Sequence, residues 1–162
     1  MRAGRLDDPR VAPVVHSVEI ARSPEDVFAY LDDLERHGEW QSNIVSSKRE
    51  TDGPTGVGSR ATDLRRVPGR TQSITYEITE HDPPRKSAFR GVNGPVRPVG
   101  TVTIESVGDS GSRVTIELDL QGHGLVGPIF APLARRQART QVAEDQRRLK
   151  ERLESEPRPP AA

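Results

Sequence analysis

The sequence predicts an α+β fold: a curved antiparallel β-sheet of about seven strands wrapped on a long C-terminal α-helix, with two short helices after the first strand. Three observations predict it. Segments that alternate apolar and polar residues recur from Val14 onward. Short stretches rich in Gly, Pro, Asp and Asn separate them, as in an antiparallel meander and not in βαβ units. A long amphipathic stretch then closes the chain, and a one-sided sheet has to bury its apolar face against some such element.

The elements follow in order. Residues 14–21 (VVHSVEIA) alternate, with His16, Val18 and Ile20 on one face and Val15, Ser17 and Glu19 on the other, which reads as a half-buried strand. Ser23-Pro24-Glu25-Asp26 is a helix start: an N-cap serine, a proline at the first helical position and an acid three residues after the cap. Val27, Phe28, Leu31 and Leu34 continue at helical spacing, and residues 35–41 read as a second helical turn ending near Gly38 and Trp40. Strands are expected at 44–49, 58–66, 71–80, 85–92, 97–107 and 113–121. Ile74, Tyr76 and Ile78 share one face of the clearest of these; Val102 and Ile104 point inward from a later one. The last helix carries Ala134, Ala138, Val142, Leu149 and Leu153 at steps of four and seven, with Pro132 in its first turn. Its small residues cannot fill a wide space under a curved sheet, which points to a cavity.

Composition bounds the function. A chain of 162 residues suits one domain, expected at 14–154 between disordered segments 1–13 and 155–162. Lys+Arg and Asp+Glu are both 24, so the clustered positive surplus that binds nucleic acid is missing. There is no cysteine, hence no disulfide framework and no thiolate chemistry. No run approaches the roughly 20 apolar residues of a membrane span, and the first thirteen residues lack an apolar core. A cytoplasmic protein without stable membrane insertion is expected, as a monomer or homodimer.

Taken together, several short motifs resemble the START-like helix-grip (SRPBCC) superfamily, in its polyketide cyclase/dehydrase branch. They are Ser23-Pro24-Glu25-Asp26-Val27-Phe28, Trp40 closing the second helix, Gly56-Val57-Gly58-Ser59-Arg60, and Tyr76 to Glu80 followed by His81-Asp82-Pro83-Pro84-Arg85. The resemblance covers about residues 14–153. It implies a helix-grip fold around a cavity for an apolar, often aromatic or polyketide-like molecule. It carries over no catalytic residue, and fold alone does not fix function.

Each candidate has a functional and a plainer reading. His16 can hydrogen-bond a ligand carbonyl or act as acid or base, or be a partly exposed strand histidine. Tyr76 can donate from its phenol to a ligand oxygen, or be a core tyrosine. Trp40 can stack on an aromatic ligand, or plug the gap between short helix and sheet. His123 can line the mouth of a cavity, whereas His81 reads as a surface turn residue. Arg60 and Thr62 share one face of the third strand and can hold an anionic group. With the opposite phase Asp63 is the polar residue inside, and a one-residue slip decides between them. Asp145 interrupts the helical stripe, either as a buried acid or at its edge beside an arginine. The ligand-lining set is thus Trp40, Arg60, Thr62, Ile74, Tyr76, Ile78, Val102, Ile104, His123 and Val142, with His16 and Tyr76 the catalytic candidates. The four histidines lack metal-ligand spacing, and the Gly53/Gly56/Gly58 cluster opens a strand and not a helix. No metal or cofactor is therefore expected.

The reading is a carrier or sensor that binds a hydrophobic small molecule in an internal cavity. The alternative is a polyketide cyclase/dehydrase-like enzyme acting on a poly-β-ketone or aromatic precursor. A third possibility is a partner-binding domain with a vestigial cavity.

Overall fold

The computed structural model describes residues 12–157; of the end segments expected at 1–13 and 155–162, residues 1–11 and 158–162 lie outside them, and α2 runs on to Ser155. Strand β1 (Val14–Ile20) leads through α1 (Pro24–Asp32) and a 3₁₀ turn (Leu34–Glu39) to β2 (Ile44–Arg49). There follow β3 (Arg60–Val67), β4 (Arg70–Asp82), β5 (Lys86–Gly91), β6 (Val96–Val107), β7 (Gly111–Gly122) and α2 (Gly127–Ser155). All neighbours pair antiparallel, in the order β1-β7-β6-β5-β4-β3-β2. The sheet is a curled half-barrel, and α1 with the 3₁₀ turn carries the chain from one edge strand to the other.

Local chemistry explains the boundaries. Ser23 caps α1 by accepting the Asp26 N–H at 3.2 Å, with Pro24 at its first position, as the sequence predicts. The closing helix begins earlier than predicted. It starts at Gly127, Pro128 occupies the first turn, and Pro132 lies inside. Pro132 brings no N–H, so the Pro128 carbonyl four residues back goes without its helical donor, which the sequence alone reads as a helix start.

The helix packs on β1, β7 and β6. Val142, Leu149 and Leu153 join Ile20, Val27, Phe28, Val114, Ile104 and Ile116 in the main core. A side chain as fully buried as Leu149 contributes roughly 1.5–3 kcal/mol relative to exposure. On the other half of the sheet, Leu34, Ala61, Tyr76 and Ile78 form a separate cluster with Phe89 against it. The far end of α2 is tied to the 3₁₀ turn by charge: Glu39 accepts from Arg36 and Tyr30 and pairs with Arg152 at 3.0 Å.

The near end of α2 is held by backbone contact. A Cβ on Gly127 would stand 2.4 Å from the Pro95 carbonyl oxygen and 2.7 Å from the Gly122 carbonyl carbon. Both obstacles are backbone and cannot swing aside. Gly127→Ala is therefore expected to destabilise the protein by about 1–3 kcal/mol through overpacking. A urea melt with an unchanged midpoint would refute the close approach.

Candidate functional site

The inner, concave face of the sheet carries the candidate site. From β4, Ile74, Tyr76 and Ile78 face inward; Tyr76 and Ile78 are buried and Ile74 half-buried. Val102 and Ile104 of β6 and Val142 of α2 lie in or against the main core. These are the positions the alternation assigned.

The third strand takes the opposite phase to the one that would put Arg60 and Thr62 inside. Ala61 and Asp63 are fully buried, and Arg60 is exposed. On the outer face Arg60 pairs with Glu77 at 2.7 Å, and Thr62 meets the Thr75 hydroxyl at 2.8 Å. Register explains it: Ala61 stands opposite Tyr76 and Asp63 opposite Ile74, so they share the inward face. His123 stands apart from these residues. It lies exposed in the loop before α2, its backbone N–H bonded to the Pro95 carbonyl at 2.7 Å.

His81 is not a surface residue. A bulge between Ile78 and Glu80 shifts the alternation of β4 by one. His81 Nε2–H then donates to Asp32 Oδ1 at 2.8 Å, and its ring meets Phe28 edge-on at 5.4 Å.

The structure does not bring the two catalytic candidates together. β1 and β4 stand four strand positions apart. His16 Nδ1–H donates to Gln146 Oε1, and Gln146 Nε2 donates to the Val114 carbonyl at 3.2 Å. Gln146 is wholly buried, so this histidine fixes α2 on the sheet.

Tyr76 instead meets a histidine that the sequence did not single out. Its ring stacks on His37 with centroids 6.4 Å apart, and its O–H donates to His37 Nδ1 at 3.4 Å. His37 Nε2–H donates to the Leu31 carbonyl at 2.8 Å, which fixes the tautomer. Trp40 lies edge-on to His37 at 5.8 Å, and Phe89 edge-on to Tyr76 at 5.8 Å. Beside these rings, Asp63 accepts from Ser47 Oγ at 2.7 Å and from Arg65 at 2.8 Å. Arg65 also reaches Gln41 and Asn43. No short-range sequence signal joins residues 37, 40, 63 and 76; only strand register does.

Electrostatics sets what this cluster can do. Burial holds His37 below its ordinary imidazole value, despite the Leu31 carbonyl and the Asp63 charge, which favour the protonated ring. Burial, then the Asp63 charge, pushes the Tyr76 phenol well above its ordinary value. Near neutral pH the pair is thus an uncharged imidazole and an intact phenol. General acid–base work is best served by a group titrating near the working pH, so the pair suits hydrogen bonding to a ligand better than proton transfer. The buried Trp40 Nε1–H has no hydrogen-bond partner among the described residues. An orphaned buried donor of this kind costs about 1–3 kcal/mol.

Asp145 is buried in the helix stripe, within the field of Arg65 and Arg148. Its Oδ1 accepts the Ser42 N–H at 3.3 Å and Gln141 Nε2 at 2.7 Å. Elsewhere a surface cleft of about 450 Å³ runs between Glu39, Arg147, Arg148, Glu151, Arg152 and Ser155. Its charges pair with one another, and it contains none of the expected ligand residues. No group of three or more His, Cys, Asp or Glu among the described residues has metal-binding proximity. None of the described helices is long and apolar enough to cross a membrane.

A curled sheet gripping one long helix, with a ring-lined inner face, defines a helix-grip protein. Residues 12–154 match the family described as polyketide cyclase / dehydrase and lipid transport, and the chain belongs to that family. A Mycobacterium tuberculosis protein, the uncharacterized protein Rv1546, is 28% identical over 126 residues, 77% of this chain and 87% of its own. Two solved structures share the fold. The Zhui aromatase/cyclase of Streptomyces sp. R1128 superposes with TM-score 0.73 at 16% identity, over 88% of this chain and 93% of that one. A START superfamily protein from Mycobacterium smegmatis superposes with TM-score 0.69 at 16% identity, over 87% and 98%.

The buried acid supplies a pH test. Burial raises the Asp145 pKa above its ordinary value, outweighing the hydrogen bonds from Gln141 and Ser42. A raised carboxyl favours the protonated folded state, so native stability falls as pH climbs from the unfolded value through the folded one. Asp145→Asn keeps an acceptor for both donors and removes that titration. The variant's stability relative to the natural protein should therefore rise between pH 4 and pH 7, by denaturant melts; parallel profiles would contradict the assignment.

Proposed function

We propose that the protein binds a hydrophobic small molecule, lipid-, aromatic- or polyketide-like, between the curled sheet and α2, as a carrier or sensor. Family and fold support binding of this kind. One observation carries the placement: α2 packs on β1, β7 and β6, while Phe89, Val102, Leu118 and Leu120 stay only partly buried on the inner face or beside it. Apolar side chains directed at an interior yet incompletely covered mark the wall of a ligand cleft. At its polar end, Trp40 Nε1–H is the open donor for a carbonyl or similar acceptor on the ligand, and the Tyr76 phenol joins it by turning from its long 3.4 Å contact with His37. The site is then lined by Trp40, Ile74, Tyr76, Ile78, Val102, Ile104 and Val142. The same reading takes the protein to work in the cytoplasm, without nucleic acid, as a monomer or homodimer.

The alternative is a polyketide cyclase/dehydrase-like activity in the same cleft, favoured by the Tyr76–His37 contact. There the phenol would donate to a developing enolate.

Trp40 is the sole tryptophan, so its emission reports on the cleft directly. Titration with a naphthoquinone is expected to quench it saturably. By calorimetry, Trp40→Phe should weaken binding about five- to tenfold, the worth of one hydrogen bond of roughly 1 kcal/mol. Tyr76→Phe separates the readings: a carrier loses affinity modestly, whereas an enzyme loses turnover with affinity retained. Absence of saturable quenching by any apolar aromatic ligand, with none retained in native mass spectrometry, would end the binding proposal.

A further inference from the structure

The start of α2 presents large apolar side chains to solvent. Leu125 is 96% exposed, Ile129 70%, Leu133 54%, Phe130 52% and Val126 47%. Such a concentration on one helix end is not the scattered exposure of an ordinary surface. Nor is the segment positioned to fold inward. Gly122 and Gly127 lie backbone to backbone, and the His123 N–H is bonded to the Pro95 carbonyl at 2.7 Å. The turn is therefore seated on the sheet and holds the apolar side chains outward.

Charge indicates what covers them. Residues 122–143 contain Arg135, Arg136 and Arg139 and no Asp or Glu. Arg135 is engaged by Asp119 at 3.3 Å, while Arg136 is exposed. Ile129, Leu133 and Arg136 fall at i, i+4 and i+7, on one face of the helix. An apolar stripe ending in arginine matches the boundary of an anionic bilayer, where acyl chains meet phosphate. A second copy of the chain seated on the same face fits less well, because residues 122–143 contain no Asp or Glu to meet Arg136.

We propose that the N-terminal end of α2 docks the protein reversibly on anionic membrane surfaces. Leu125, Ile129, Phe130 and Leu133 enter the interface and Arg136 lies at the headgroups. Docking is interfacial and leaves the fold intact.

The test is co-sedimentation of the full chain, with no small molecule added, on vesicles of phosphatidylcholine alone or mixed equally with phosphatidylglycerol. The expected result is pelleting with the anionic vesicles only, reversed by high salt. The double variant Ile129→Ser/Phe130→Ser should lower the partition about tenfold or more. Arg136→Glu should lower it at least about fivefold. Leu125→Ser, at a site with almost no packing, is the control should the double variant misfold, and should also weaken binding. Three results overturn the proposal: natural protein left in the supernatant with anionic vesicles, variants that pellet unchanged, or a dimer that Ile129→Ser/Phe130→Ser dissolves without any vesicle binding. Because no cargo is present, failure of the ligand reading would leave this result standing.

Discussion

The structure depends on one mismatch of area: a seven-stranded curled sheet has a single long helix to cover its apolar face. α2 lies across β1, β7 and β6, and there the core closes around Ile20, Val27, Val114 and Leu149. What holds the helix in that position is partly polar. Gln146, wholly buried, joins His16 of β1 to the Val114 carbonyl of β7. Asp145 on the next position ties the helix to the Ser42 backbone N–H. Buried polar groups cost free energy unless hydrogen-bonded, and satisfied ones specify a position that apolar contacts leave free to slide.

The uncovered half of the sheet follows from the same geometry. Over β3, β4 and β5 the inner face is finished by the 3₁₀ turn and its neighbours, which contribute Leu34, His37 and Trp40. The resulting environment is aromatic on one side and holds the Asp63–Arg65 pair on the other. That pair neutralises itself, so its net field on the rings is small next to the effect of burial. The inner face beside the rings therefore presents a neutral imidazole and phenol, with the Asp63 and Arg65 charges paired to each other.

Much of the fold was legible in the chain. Period-two alternation marked the strands, with Ile44–Arg49 matched end to end, and Ser23 with Pro24 marked α1. The inward set Ile74, Tyr76, Ile78 and Ile104 needed nothing but that period. Legibility failed where register or backbone geometry decided. Arg60 and Thr62 sit on the outer face because β3 pairs with β4 in one of two phases, and alternation of Arg, Ala, Thr and Asp does not choose between them. His81 turns inward through a bulge that leaves no residue signature of its own. His37 joins the site only because the 3₁₀ turn folds over Tyr76, distant in sequence.

The strand order also fixes when the molecule can be completed. β1 is the first of the described elements to be made, yet Val14 pairs with Leu118 and Ile20 with Ser112 of β7. Its inward face is covered by α2, made last of all. During synthesis β2 to β7 can zip together hairpin by hairpin, while the first strand waits with its ladder unmade and its valines uncovered. Closure of this non-local pair is the slow, aggregation-exposed step that such connectivity imposes. Strand β1 is therefore vulnerable until β7 and α2 have been translated.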